Sequence, residues 1–168
     1  MIAQRKPLVV ARHLSVLAVT LAGILLVVTG AQAGQCPAGK TVASGAGQTA
    51  GVTMPKNVAD TVIGMIKLAD EPGVGVADRL FRLRKLVIGP GGEVPWHSHE
   101  DRPAIIYIVQ GEVTEYASTC AVPIVHKAGD VAPETHATTH WWRNTGRKTA
   151  VLLSADLLHE TAEDPHVM

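Results

Sequence analysis

The feature that most restricts the fold is a succession of short segments with the composition of strands, four of which are followed by a glycine-containing turn. After Pro72 and Gly73, six such segments follow one another with no long helical pattern between them. They cover residues 80–88, 104–109, 112–117, 123–126, 140–143 and 149–158. Short strands at this spacing are typical of a β-sandwich or a β-barrel. The sequence therefore predicts an all-β domain.

The residues before this succession carry weaker signals. Residues 61–68 are ambiguous between a short helix and a strand, because their apolar positions fit both periods, and we predict a strand. Residues 34–56 are rich in Gly, Ala, Ser and Thr and have little apolar periodicity. This composition predicts an irregular N-terminal arm, followed by a single domain at residues 57–168.

The first 33 residues have the three parts of a secretory signal peptide. Two Arg and one Lys give a positive start, residues 14–28 form an apolar run, and Ala31 and Ala33 provide small side chains for cleavage. An uncleaved anchor is the alternative, but the run is shorter than the roughly 20 residues that span a bilayer. We predict cleavage after Ala33, a periplasmic or secreted protein, and no stable membrane anchor.

The charge of the mature chain bears on its partners. Without the signal peptide, 12 Lys and Arg remain against 15 Asp and Glu, which gives a formal charge of −3. Nucleic-acid binding normally uses a basic patch, so this balance gives no support for a nucleic-acid partner.

Cys36 and Cys120 are the two cysteines of the chain. An oxidising compartment favours their pairing, and we predict a disulfide that pins the arm to the domain. Closing so long a loop restricts the unfolded chain by on the order of 4 kcal/mol in the chain-entropy model. Two free thiols are the alternative. Lipid attachment at Cys36 is disfavoured because Gln35 precedes it.

His97 and His99 would project from the same face of a strand, since side chains alternate along it. Neutral imidazole binds zinc, copper, iron and nickel, and a useful site needs a third donor. From the residues alone, the two could equally be surface histidines beside Glu100 and Asp101.

The spacing around these histidines resembles the two sequence motifs of the cupin family. The matching positions are Gly91, His97, His99 and Gly111 in the first motif and Gly129, His140 and Asn144 in the second. Thr135 and Ala137 stand where the second motif has Pro and Gly. The resemblance extends over about residues 80–158.

This resemblance implies a double-stranded β-helix, a jelly-roll-like barrel, in which His97, His99 and His140 converge as metal ligands. The implied cofactor is a divalent transition metal, with iron first and zinc, manganese, nickel or copper as alternatives. A homodimer is expected on the same family grounds.

One position departs from the family pattern. The glutamate of the first motif falls on Ala104, which has no donor atom. Three interpretations stay open: a neutral three-histidine site of the kind seen in some iron-dependent dioxygenases, a fourth ligand from Glu100 or Asp101, or weak or absent metal binding.

Alternation along the strands predicts which side chains line the barrel interior as a substrate pocket. They are Ala104, Ile106, Ile108, Trp142 and Asn144. Plain core packing is the alternative. Arg102 could clamp an anionic substrate, or form an ion pair with Glu100 or Asp101. Trp96 and Trp141 are expected to point outward or to lie in loops.

These features predict an exported cupin that binds a metal and carries out dioxygenase-like oxidation or isomerisation of a small molecule. The alternative is a non-catalytic cupin that binds a small ligand, with a weak or absent metal site. His126 and His136 are candidate acid/base groups by residue type alone, and we expect them to be surface or turn histidines. His159 and His166 are expected to have no specific role.

Overall fold

The computed structural model describes residues 35–160, so the predicted signal peptide and His166 lie outside the described residues. Within this part the strands are β1 (Lys56–Lys67), β2 (Arg79–Ser98), β3 (Ala104–Gln110), β4 (Glu112–Ala117), β5 (Ile124–Lys127), β6 (Val131–Glu134), β7 (Thr139–Arg143) and β8 (Ala150–His159). One short 3-10 helix, Leu68–Asp70, follows β1. In the described residues, no helix is long and apolar enough to cross a membrane.

The strands form one antiparallel sheet in the order β5-β4-β7-β2-β8-β3-β6, and β1 pairs with β2. The sheet curls so far that its two ends, β5 and β6, are joined by a single turn although they do not pair with each other. The result is a nearly closed barrel with one seam. This confirms the predicted all-β double-stranded β-helix.

The predicted strand at residues 61–68 is confirmed as the greater part of β1, which ends just before Leu68. Two differences concern β2 and β6. β2 continues through the predicted turn at Gly89–Gly92 as far as Ser98, with a register irregularity between Val94 and His97. β6 has no counterpart among the predicted segments, because a four-residue strand containing a proline gives little sequence signal.

The barrel interior has an apolar part and a polar part. Side chains of six strands make the apolar core: Leu86, Ile88, Val94, Ile106, Ile108, Val113, Ala132, Trp142, Ala150 and Leu152. In β2 the inward positions change from Arg82 and Arg84 to Leu86 and Ile88, so one strand contributes to both parts.

The arm is irregular, as predicted, and the predicted disulfide between Cys36 and Cys120 is confirmed, with Cα atoms 5.7 Å apart. Backbone hydrogen bonds from Val42, Gly45 and Gln48 attach the arm to the end of β4 and to the connection that follows it. The arm is therefore held on the barrel by both covalent and hydrogen bonds.

Two glycines of the arm lie where no side chain fits. A Cβ at Gly47 would stand 2.5 Å from the carbonyl oxygen of Cys120, and one at Gly51 would stand 2.5 Å from the ring of Trp141. On its own strand pair, Trp141 stacks on Tyr116 with ring centroids 4.1 Å apart. Trp141 thus points away from the interior, as expected, but it packs against the arm and is half-buried.

Candidate metal centre

The three predicted histidines come together at one end of the barrel. His97 and His99 project from the end of β2, and His97 lies directly opposite His140 of β7 in the sheet register. The Nε2 atom of His97 is 3.0 Å from Nε2 of His99 and 3.1 Å from Nε2 of His140. Alternation along β2 and pairing with β7 are therefore sufficient to converge the three rings.

A carboxylate completes the group. Glu134 of β6 places Oε2 at 2.9 Å from Nε2 of His99 and Oε1 at 3.3 Å from Nε2 of His140. One donor atom from each of the four residues lies within 4.8 Å of the others, so the group could hold a metal ion. The sequence motifs do not indicate this fourth residue.

The position of Glu134 explains the departure at Ala104. Register pairing sets Glu134 directly opposite Ala104 on the neighbouring strand, with both side chains buried. A carboxylate therefore reaches the centre from β6, beside the position where the family pattern has its glutamate. The small Ala104 side chain leaves room for it. None of the three interpretations of the sequence included Glu134 as this carboxylate.

The two acidic residues considered as alternative ligands lie elsewhere. Asp101 is exposed and accepts a hydrogen bond from Arg79 at 2.7 Å and contacts His159 at 2.6 Å. Glu100 is exposed, and its carbonyl oxygen contacts His136. His159, for which no role was expected, thus belongs to a surface ion-pair group, whereas His136 is exposed as expected.

Each histidine ring is oriented by an oxygen acceptor at Nδ1. The acceptors are the Pro95 carbonyl at 2.8 Å from His97, the Arg102 carbonyl at 2.6 Å from His99, and Glu115 Oε1 at 2.6 Å from His140. Carbonyl and ionised carboxylate oxygens only accept, so Nδ1 carries the proton and donates it. The lone pair at Nε2 then faces the centre in all three rings, which is the arrangement of metal-binding histidines.

The donor set fits a divalent cation. Glu134 is 2% exposed, and neither of its carboxylate oxygens has a hydrogen-bond partner. An ionised carboxylate buried in this way is costly unless a positive charge lies beside it, either a proton on a neighbouring Nε2 or a bound cation. Donors held about 2.1 Å from one ion stand roughly 3 Å apart, which is the spacing found between neighbouring Nε2 atoms. The residues present therefore fit a metal ion.

The electrostatics favour the same ion. Burial, together with the neighbouring rings of His140 and His99, holds the pKa of His97 well below its usual value, so His97 stays neutral. Burial also lowers the pKa of His140, but the carboxylates of Glu134 and Glu115 outweigh it and raise that pKa. Carboxylates that stabilise a positive charge on His140 also stabilise a cation bound beside it.

Glu115 and His126 form a buried pair next to the centre, and Glu115 also orients His140. Glu115 Oε2 contacts Nε2 of His126 at 2.8 Å, while Oε1 holds His140. Burial would raise the pKa of Glu115, but these two histidine contacts outweigh it and lower the pKa to about 2. His126 is fully buried with its ring 4.5 Å from that of Trp142, so the expectation of a surface histidine is wrong.

The residues predicted to line a pocket lie in three different environments. Ile106, Ile108 and Trp142 belong to the apolar core. Asn144 is buried, and its Nδ2 donates to the carbonyls of Ile88 and Lys148, so it holds the turn after β7. Of the predicted lining, Ala104 alone lies directly opposite a residue of the metal centre.

Arg102 lies near a second buried polar group, the guanidinium cluster, which we define as Arg82, Arg84, Asp156 and Asp60. Arg82 donates to both oxygens of Asp156, at 3.0 and 2.6 Å, and Arg84 donates to Asp60 at 2.7 Å. Arg102 has its Nε atom 4.0 Å from Asp156, and its charge lowers the pKa of both His97 and His140. Arg102 therefore stands between the cluster and the centre.

Comparison with known proteins agrees with this fold. The family model described as "Cupin domain" matches residues 84–156. Among curated proteins, none matches the sequence.

Three similar solved structures share 14 to 21% identity with this chain. A predicted oxalate decarboxylase from Thermotoga maritima is 21% identical, covering 70% of this chain and 97% of its own, with a TM-score of 0.49. The cupin domain of Schizosaccharomyces pombe Cnp3 is 15% identical, covering 64% of each chain, with a TM-score of 0.48. A Cupin 2 conserved barrel domain protein from Salinispora arenicola is 14% identical, covering 66% and 82%, with a TM-score of 0.47.

The family assignment rests on the matched segment and on the barrel itself. The segment at residues 84–156 begins in β2 and ends in β8, so it contains all four residues of the group. The chain therefore carries a domain of the cupin superfamily.

Proposed function

We propose that the protein is an exported cupin that holds a divalent transition metal with His97, His99, His140 and Glu134. The observation that carries this proposal is the buried Glu134 carboxylate, which has no hydrogen-bond partner and faces Nε2 atoms whose Nδ1 protons are already engaged. Imidazole donors suit iron, zinc, copper and nickel, and a carboxylate adds manganese to the set. Iron remains our first candidate.

The proposed chemistry is metal-centred oxidation or isomerisation of a small molecule. A metal in this site would supply Lewis-acid or redox chemistry. The chain itself contributes orientation, because Glu115 and His126 fix the ring of His140. Trp142 is 1% exposed and lies against His140, so it keeps water away from that side of the centre.

Elemental analysis tests the site. The protein is expressed with its own signal peptide, and the exported mature chain, Gly34 to Met168, is purified. Its metal content is compared with that of a His97→Ala, His99→Ala, His140→Ala triple variant. We expect near-stoichiometric transition metal in the native protein and its loss in the variant. The matched control replaces the exposed His136 and His159 by Ala and should retain the metal.

Equal metal content in the native and triple-variant proteins, with the fold intact by circular dichroism, would refute the site. A metal-loaded protein that consumes no oxygen and isomerises no substrate in a screen would instead support the non-catalytic ligand-binding alternative.

Export is a second part of the proposal. The Cys36–Cys120 disulfide supports it, because such bonds form and persist in oxidising compartments. N-terminal sequencing of protein recovered from the periplasm or the medium should begin at Gly34. Recovery of the intact chain from the reducing cytoplasm alone would contradict export.

We further propose a homodimer formed through the outer face of the sheet made by β1, β2, β8, β3 and β6. Large apolar side chains on this face are between 38% and 56% exposed: Ile66, Phe81, Leu83, Ile105, Tyr107, Val109 and Val131. Their exposed surface is on the order of 600 Å², which is at the upper end for a monomer and typical of an interface. A second copy of the same face is a suitable apolar partner, since each copy exposes enough area for a standard interface of about 800 Å² a side when the rim is included.

Sedimentation at micromolar concentration tests the dimer. We expect a dimer for the native protein and a monomer for an Ile105→Glu, Tyr107→Glu variant. A native protein that sediments as a monomer would refute the proposal.

A further inference from the structure

A cavity of about 350 Å³ lies at the seam of the barrel, where the arm crosses it. Its lining comes from the arm, from β4, from the end strands β5 and β6 and from their flanking loops: Gln35, Cys36, Thr41, Glu115, Ala117, Thr119, Ile124, Ala132, Pro133, Thr135 and Thr138. Small-molecule sites commonly have volumes of about 300–1,000 Å³. The cavity is therefore large enough for a compact ligand.

None of the four residues of the metal centre lines the cavity, but three of them adjoin residues that do. Ala117 lies directly opposite His140 in the sheet register, and Glu115 binds the same histidine through Nδ1. Pro133 and Thr135 are the sequence neighbours of Glu134. On the third side, the carbonyl of Thr138 accepts the backbone hydrogen bond of His99. A molecule in the cavity is thus separated from the centre by one residue along the chain or across the sheet.

The chemistry of the lining favours an uncharged ligand. Four threonines and Gln35 offer hydroxyl and amide groups, and the lining contains no Lys, Arg or His. The one acidic side chain in it is Glu115, whose two oxygens contact His126 and His140. The charge of a divalent metal would be balanced by Glu115 and Glu134, which leaves no excess positive charge for an anion.

The guanidinium cluster does not supply that positive charge. Arg82 is bound at both oxygens of Asp156, and Arg84 is bound to Asp60. None of these residues lines the cavity. An anionic substrate would therefore have to displace existing ion pairs.

We propose that this seam cavity is the ligand pocket of the metal centre, that it takes a small uncharged molecule bearing several hydroxyl groups, and that the arm forms one wall of it. The proposal rests on the proposed function for the nature of the centre, but the pocket can be tested by itself. The disulfide keeps Cys36 and its neighbours in the wall.

Amide chemical shifts measure the pocket directly. The zinc-loaded and the chelator-treated proteins are each titrated with D-glucose as the neutral probe and with malonate as the anionic probe. We expect glucose to give saturable shifts at Ala117, Thr119 and Thr138 and at the arm, and malonate to give none. Saturable shifts with malonate at these amides, or none with glucose, overturn the ligand class.

Substitutions of lining threonines test whether their hydroxyl groups bind glucose. Thr41→Val with Thr119→Val removes two hydroxyls without changing side-chain shape, and should weaken glucose binding about tenfold or more. Thr61→Val on β1 lies outside the cavity and should leave the affinity unchanged. Equal affinity in the double variant and the Thr61→Val control overturns the pocket.

The arm is tested with Cys36→Ser, Cys120→Ser. We expect weaker glucose binding with metal content unchanged, and unchanged glucose affinity overturns the role of the arm. Failure of the two proposals is distinguishable: glucose binding by a protein that takes up no metal retires the metal centre alone, whereas full metal loading without glucose binding retires the pocket alone.

Discussion

The barrel contains two buried polar groups whose hydrogen bonding differs. In the guanidinium cluster, Arg82 donates two hydrogen bonds to Asp156 and both side chains are almost completely buried. In the metal centre, Glu134 is equally buried, yet neither of its oxygens has a hydrogen-bond partner. One row of the sheet register connects them, from Arg82 through Asp156 and Ala104 to Glu134.

This difference separates a polar group that belongs to the fold from one that is suited to binding a ligand. A buried ion pair with complete hydrogen bonds is a feature of the fold, because each charge is compensated by the chain itself. A buried carboxylate that the chain does not compensate needs a partner from outside the chain. Asp156 and Glu134 are equally buried carboxylates, so hydrogen bonding is the property that distinguishes them.

We expect the largest effect on stability at Asp156, whose charge is balanced by arginines of the same chain. Asp156→Ala leaves Arg82 and Arg84 without this carboxylate, and we expect the free energy of unfolding to fall by about 3–5 kcal/mol. Urea denaturation should show the same loss with and without a chelator. Asp101→Ala removes an exposed ion pair and should cost much less. A loss at Asp156 that depends on metal would break the comparison.

At the metal centre, by contrast, we expect the effect of a substitution to depend on metal. Glu134→Gln removes the anionic donor, and we expect the metal dissociation constant to rise by about 100-fold or more. The stabilisation that metal gives the native protein should shrink accordingly. Competition with a chromophoric chelator measures the first and thermal unfolding the second. Native-like metal affinity in this variant would contradict the role of Glu134.

Glu115→Gln tests the support of the centre. The amide keeps an oxygen acceptor for His140 but loses the charge, and we expect metal affinity to fall by about 10- to 100-fold. The same chelator competition measures it. Glu112→Gln on the same strand, which pairs with Lys127 near the surface, is the control and should bind metal normally. Equal affinities in the two variants would remove Glu115 from the centre.

The smallest effect is expected at Ser154, whose buried hydroxyl has no hydrogen-bond partner but carries no charge. Ser154→Ala should leave the free energy of unfolding unchanged or raise it by up to about 1 kcal/mol. Ser118→Ala is the matched control, because Ser118 Oγ accepts a hydrogen bond from the amide of Thr139, and it should lose about 1 kcal/mol. Equal losses of unfolding free energy in the two variants would show that hydrogen bonding of the hydroxyl does not determine stability at these positions.

The fold and three of the four converging residues are predictable from the sequence. Alternation within one strand places His97 beside His99, and the resemblance to the cupin motifs supplies His140 and the barrel. The disulfide follows from export and from the number of cysteines. Each of these inferences depends on local spacing or on a family pattern.

The rest depends on pairing between distant strands. Glu134 reaches the centre because β6 pairs with β3 in a register that sets it opposite Ala104. Glu115 and His126 meet because β4 pairs with β5. Alternation in β6 and β4 does indicate that Glu134 and Glu115 point inward, but the strand β6 itself gives too weak a signal to use.

The glycines of the arm have a consequence for how such segments are interpreted. A stretch of Gly, Ala, Ser and Thr suggests a flexible tether whose residues are interchangeable. Gly47 and Gly51 are not interchangeable, since the space beside each is already occupied by Cys120 or by Trp141. The arm is shaped to the surface that it covers, and an insertion or deletion of one residue between Cys36 and Gly51 would misalign it as surely as a shift within a strand.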